Sequence, residues 1–120
     1  MKYLLLIYGA PDASPAPDSP EFEAYMAGYV KADQTFEKEG VMRGGEALEG
    51  TDTATSVRVR GGKTETMDGP FAETKEQLGG FYLLDCDNLD DAIRYAAMIP
   101  DAATGTVEIR PVMDVSQFEG

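Results

Sequence analysis

A chain of 120 residues, 42% hydrophobic and 27% charged, has ordinary globular composition and is expected to form one domain over residues 1–120. Its formal net charge of -12 repels nucleic-acid phosphates and anionic lipid, and no stretch approaches the ~20 apolar residues of a membrane span. With no histidine and one cysteine, Cys86, the chain lacks the groups for histidine-based triads, cysteine-histidine pairs, zinc sites and intrachain disulfides, and a lone thiol suits the reducing cytoplasm.

Tyr3 to Tyr8 is apolar on both alternating faces, which predicts a central strand. The apolar run Leu4 to Ile7 stops at Gly9 and Pro11, too short for a secretion signal. Ala10 to Pro20, with four prolines, reads as an exposed, mobile loop with no packing face of its own. Ser19 as N-cap and Pro20 at the first helical position predict a helix to about Glu39, stopped by Gly40. Its apolar stripe is Phe22, Tyr25, Tyr29, Ala32 and Phe36. Tyr25 and Tyr29 are therefore core residues first and pocket residues second.

Gly44 to Leu48 predicts a short edge strand. Thr55 to Arg60 and Lys63 to Met67 flank Gly61-Gly62, the signal of a two-residue hairpin turn. The resulting register sets Arg58 against Glu65, Val57 against Thr66 and Val59 against Thr64. Gly69 and Pro70 then break the ladder. Phe81 to Leu84 is again apolar on both faces. Asn88 caps a second helix whose stripe holds Leu89, Ala92, Ile93, Ala96 and Ile99, and Pro100 ends it. Thr106 to Val112 closes the domain as a strand, with Val107 and Ile109 opposite Glu108 and Arg110.

This order predicts an α+β fold, a ferredoxin-like antiparallel sheet with two helices on one face. Two helices leave the second face of the two central strands in water, a larger apolar patch than monomers usually expose, so a homodimer is expected to cover it.

Gly62-Lys63-Thr64 resembles the end of a phosphate loop, but Val57 stands where the earlier glycine is required, and no glycine pair has dinucleotide-binding spacing. No EF-hand pattern occurs, and neither metal nor cofactor is expected. Cys86, between Asp85 and Asp87, reads as a packing residue, because neighbouring carboxylates disfavour the thiolate. The chemical candidate is the loop Asp68-Gly69-Pro70-Phe71-Ala72-Glu73-Thr74-Lys75, which gathers two carboxylates, a hydroxyl and an ammonium. A partly buried acid there could transfer protons. The competing reading is a structural turn, with Asp68 accepting backbone hydrogen bonds and Phe71 anchored in the core.

The run Asp68 to Tyr82, DGPFAETKEQLGGFY, resembles the signature of the DGPF-domain proteins of the YCII-related group. Met1 to Gly9, Gly44 to Leu48, the hairpin and Val107 to Val112 match in the same order, so the resemblance spans nearly the whole chain. It implies a ferredoxin-like subunit paired into a dimeric α/β barrel. It also implies a bacterial protein of uncharacterised function, in some members linked to extracytoplasmic-function sigma factors. Some relatives resemble enzymes with a histidine-aspartate pair in a cleft, of which only the aspartate carries over here, onto Asp68.

Three readings follow. The first is a cytoplasmic homodimer binding a small molecule in a cleft near the Asp68 loop, accessory to sigma-factor-linked regulation. The second is a cofactor-independent lyase or isomerase in which Asp68 or Glu73 moves a proton while Lys75 or Arg110 holds an anionic substrate. The third is an interaction module with no pocket. The ligand-binding candidates are Tyr8, Glu46, Asp68, Gly69, Pro70, Phe71, Glu73, Lys75 and Arg110.

Overall fold

The computed structural model describes residues 1–119, so the domain end expected at 120 lies outside the described residues. Strand β1 (Lys2–Gly9) alternates buried Tyr3, Leu5 and Ile7 with half-buried Leu4, Leu6 and Tyr8. It pairs antiparallel on one side with β5 (Gln77–Asp85) and on the other with β6 (Thr106–Pro111). β2 (Met42–Ala47) adds antiparallel to β5, giving a four-stranded sheet in the order β2-β5-β1-β6. With α1 (Phe22–Lys38) and α2 (Leu89–Ala96), this is the expected α+β, ferredoxin-like arrangement. The sheet is open, and among the described residues no barrel closes.

One core joins both helices to one face of the sheet. Tyr3, Leu5, Ile7, Tyr82 and Leu84 project from the strands to meet Ala32 and Phe36 of α1 and Ala92, Tyr95 and Ala96 of α2. Phe36 is fully buried, its ring edge-on to Tyr82 at 5.1 Å and to Tyr95 at 5.5 Å between centroids, geometries favoured by the aromatic quadrupole. On the opposite face Leu4, Leu6, Phe81 and Leu83 are neighbours in register and only half-buried, beside Glu46 of β2 and Glu108 and Arg110 of β6. That open face is the two-sided patch read from the sequence.

Several local expectations are corrected. Ser19 does not cap α1. The helix starts at Phe22 after Glu21, which has helical dihedrals, and the Ser19 hydroxyl is buried without a hydrogen-bond partner. Asn88 does cap α2, accepting from the Asp91 amide at 2.8 Å. In α2, Leu89 and Ile93 are half-exposed, because the helix is rotated to bring Tyr95 under its Ala92–Ala96 face. Pro100 does not end α2, which stops at Ala96, but opens a separate 3-10 turn, Pro100–Ala102.

The hairpin forms with the expected register, Arg58 opposite Glu65, Val57 opposite Thr66 and Val59 opposite Thr64, as β3 (Thr55–Arg60) and β4 (Lys63–Asp68). Gly61 and Gly62 turn it with φ of 56° and 76°, the left-handed pair that matches strand twist. Among the described residues the two strands pair only with each other. They stand off the sheet as an arm, and the radius of gyration, 16.7 Å, exceeds the about 13.5 Å of a compact domain of this length.

Replacing Phe36 removes the ring on which both helices and the sheet converge. Phe36→Ala is expected to cost about 3–5 kcal/mol, measured as a lowered urea midpoint at unchanged slope.

Candidate functional site

The helix side of the sheet is not filled along its β2 edge. A cleft of about 780 Å³ lies there, between α1 and the strands β2 and β5. Glycines reduce its sheet-side wall to backbone at Gly44, Gly45, Gly79 and Gly80, while Tyr25, Met26, Tyr29 and Asp33 line it from α1. The helix reaches this position because Gly28 has no side chain: a Cβ there would sit 2.8 Å from Cγ of Pro100.

That close approach builds a hydrogen-bonded cluster. Tyr25 donates to Oδ2 of Asp101 at 2.8 Å, Tyr29 donates to the same oxygen at 2.5 Å, and Ser14 donates to Oδ1 at 3.0 Å. Ser14 belongs to the segment expected to have no packing face, which is instead tied to the domain through Asp101 and lines the cleft at Ala10, Pro11 and Ser14. One turn beyond Tyr29 along α1, Asp33 accepts a hydrogen bond from Tyr82 of β5. Burial, reinforced by these carboxylates, pushes the Tyr29 and Tyr82 hydroxyls far above the ordinary tyrosine range. Tyr25 shifts in the same direction, again chiefly through burial. All three are protonated phenols at neutral pH, with their protons committed to aspartate.

The wall is thereby rich in acceptors. A phenol that donates to a carboxylate offers a ligand only its oxygen lone pairs. The acidic residues along the cleft are Asp33, Glu37, Glu49 and Asp101, Glu46 borders it through β2 with its side chain on the Phe81 face, and among the described residues no lysine or arginine joins them.

Of the residues singled out from the sequence, Glu46 borders the cleft through its place in β2, while its side chain lies on the open face with Phe81. Tyr8 lies on the opposite, open face of β1, although its neighbours Ile7 and Gly9 reach the cleft. Asp68 ends β4 on the arm, exposed and paired with Thr55. Gly69 closes the arm's base, its amide donating to Ala54 O at 2.7 Å and its carbonyl accepting from Ser56 Oγ at 2.8 Å. Pro70 is half-buried, while Glu73 and Lys75 are exposed in the loop beyond. Phe71 is 77% exposed, so the core anchor expected of it is not formed. Arg110 pairs with Glu108 on the opposite edge strand. A single cleft lined by Asp68 and Arg110 is not formed. Cys86 is buried at the end of β5, and burial, then Asp91 and Asp85, pushes its thiol up, consistent with packing.

The residues that sequence reasoning placed in the core, Tyr25 and Tyr29, belong to the cleft, and Asp33, Tyr82 and Asp101 were not singled out at all. Tyr25, Tyr29 and Asp33 share helical spacing. No local signal links them to Asp101, which lies 72 residues after Tyr29.

Residues 1–116 match the YCII-related domain. The chain belongs to the YCII-related family. An uncharacterized protein of Rhizobium meliloti (strain 1021) is 38% identical to this YCII-related chain over 114 residues, covering 93% of this chain and 92% of the relative. Among the described residues no helix is long and apolar enough to cross a membrane, and no group of three or more cysteine, aspartate or glutamate side chains is placed to hold a metal ion.

The raised tyrosines make stability pH-dependent with a definite sign. In the unfolded chain they ionise near pH about 10, whereas the folded cleft retains their protons to higher pH. Their contribution is complete below about pH 10 and drains away as pH rises toward the native-state values. Urea melts are expected to show falling stability above that pH, with a smaller fall in Tyr29→Phe and Tyr82→Phe.

Proposed function

We propose that this YCII-related chain acts as a homodimer that binds a small organic molecule in the cleft between α1 and β2, and that the ligand is a hydrogen-bond donor, neutral or cationic, with an apolar or aromatic body. The supporting observation is the acceptor-rich lining: four acidic residues, Asp33, Glu37, Glu49 and Asp101, and three tyrosines whose protons are already engaged, beside apolar Met26 and Met42. A volume of about 780 Å³ suits a metabolite-sized ligand. An anionic substrate would meet Asp33 and Asp101 without a compensating cation, which disfavours a site in which Lys75 or Arg110 holds the substrate. The homodimer reading rests on Leu4, Leu6, Phe81 and Leu83, an apolar patch that a second copy would remove from water.

The test uses a charge-reversed pair on the same phenethyl body, phenethylamine and 3-phenylpropionate, in thermal shift and calorimetry at low and at elevated salt. Binding to the folded state stabilises by roughly 2.7 kcal/mol at one hundred times Kd. The amine is expected to raise the melting temperature saturably and to lose affinity at least tenfold in Asp33→Asn, with Asp68→Asn and the open-face Glu46→Gln binding as wild type. Preferential binding of the carboxylate would refute the ligand class, and a blank across the pair and a broad metabolite library would refute the cleft as a binding site.

A further inference from the structure

The arm formed by β3 and β4 has no role in the cleft, yet it carries features that a free surface ribbon does not need. An isolated two-stranded hairpin is at best marginally stable in water, and this one pairs with no third strand among the described residues. It nevertheless presents Val57 and Val59, each 60% exposed, side by side on one face with Thr64 and Thr66, and Met67, 48% exposed, on the other. Such an unprotected ribbon edge is a pairing hazard unless something covers it.

The charge on the arm narrows what covers it. Arg58, Arg60 and Lys63, three of the ten basic residues of the chain, cluster around the Gly61-Gly62 turn, against two acids, Glu65 and Asp68, on the same ribbon. Among the described residues none of the three cations forms an ion pair, although Arg58 faces Glu65 in register. A net-positive tip is thus held out from a chain of net charge -12. Within the chain no acid pairs with it, and a second copy of the same acidic body is complementary to it.

We propose that the arm is a clasp for a second copy of this chain: the Val57–Val59 face packs on the partner, and Arg58, Arg60 and Lys63, on the other face of the ribbon and around its turn, reach past the arm's edge to acidic groups of the partner. In a two-fold dimer each copy gives one arm and receives one, so every arm contact occurs twice. The inference rests on the homodimer proposed above and adds to it the element that grips.

Hydrogen exchange on the full-length protein, with light scattering under the same conditions, tests the two separately. In the dimer the Val57, Val59, Thr64 and Thr66 amides are expected to be protected at least tenfold, and this protection is lost in Leu6→Lys, which breaks the sheet-face contact. The triple variant Arg58→Glu, Arg60→Glu, Lys63→Glu is expected to weaken dimerisation at least tenfold at low salt and less at high salt, with an unchanged circular dichroism spectrum, because the arm lies outside the core. A dimer whose arm amides exchange freely, or whose affinity ignores the triple reversal, overturns the clasp and leaves the dimer standing. A wild-type protein that is monomeric throughout the micromolar range overturns both.

Discussion

The edge-on packing of Phe36 between Tyr82 and Tyr95 is the contact on which the rest of this molecule turns. It pins the C-terminal half of α1 to the centre of the sheet and to α2, and so sets the helix in both register and rotation. Once Phe36 is seated, helical geometry dictates the remaining placements: Asp33, Tyr29 and Tyr25 follow along the same stripe toward the N-terminus, each one turn or so further from the core. Asp33 arrives beside Tyr82, and the two tyrosines arrive beside Asp101. The gap beneath the N-terminal half of α1, where no large side chain rises from the glycines of β2 and β5, is the cleft.

The cleft is an electrostatic object as much as a cavity. A buried tyrosine hydroxyl without a partner would cost free energy, and here each finds a carboxylate, which both satisfies it and keeps it protonated. The same pairing removes the phenols from service as donors. What remains facing a ligand is oxygen lone pairs and negative charge, so the proposed preference for a donor-bearing ligand follows from how the core was satisfied. Asp101 also links three parts of the chain, the segment around Ser14, α1 and the turn after α2, so the cleft's rim and the helix packing share one carboxylate.

The two surfaces that the chain leaves unfinished are of different kinds. The open face of the sheet is broad, flat and apolar at its centre, and follows directly from having two helices for a sheet with two faces. The arm is narrow, carries its apolar residues in a ridge and concentrates positive charge at its tip. In the proposed dimer the flat face would supply burial and the charged arm orientation, since complementary charge discriminates among otherwise similar contacts.

Much of this was legible from residue order. Alternation in Tyr3 to Tyr8 and Phe81 to Leu84 identified the central strands, Gly61-Gly62 set the hairpin register, Asn88 marked the start of α2 and Gly40 the end of α1, where it adopts a φ of 71°. These features are local: each depends on backbone preferences or on side-chain period within a few residues. Ser19 misled because a good cap residue does not by itself fix where the first helical hydrogen bond forms, and Glu21 continued the helical dihedrals without it. The Asp68 loop misled because a dense group of functional side chains was taken for a site, whereas the structure holds most of them in solvent. By itself, then, the sequence determined the elements, their order, the acidic character and the family. The tertiary structure alone decided where the cleft lies, because its walls come from Tyr29, Tyr82 and Asp101 on three separate elements, and only the docking of α1 through Phe36 and Gly28 brings those distant groups within hydrogen-bonding distance.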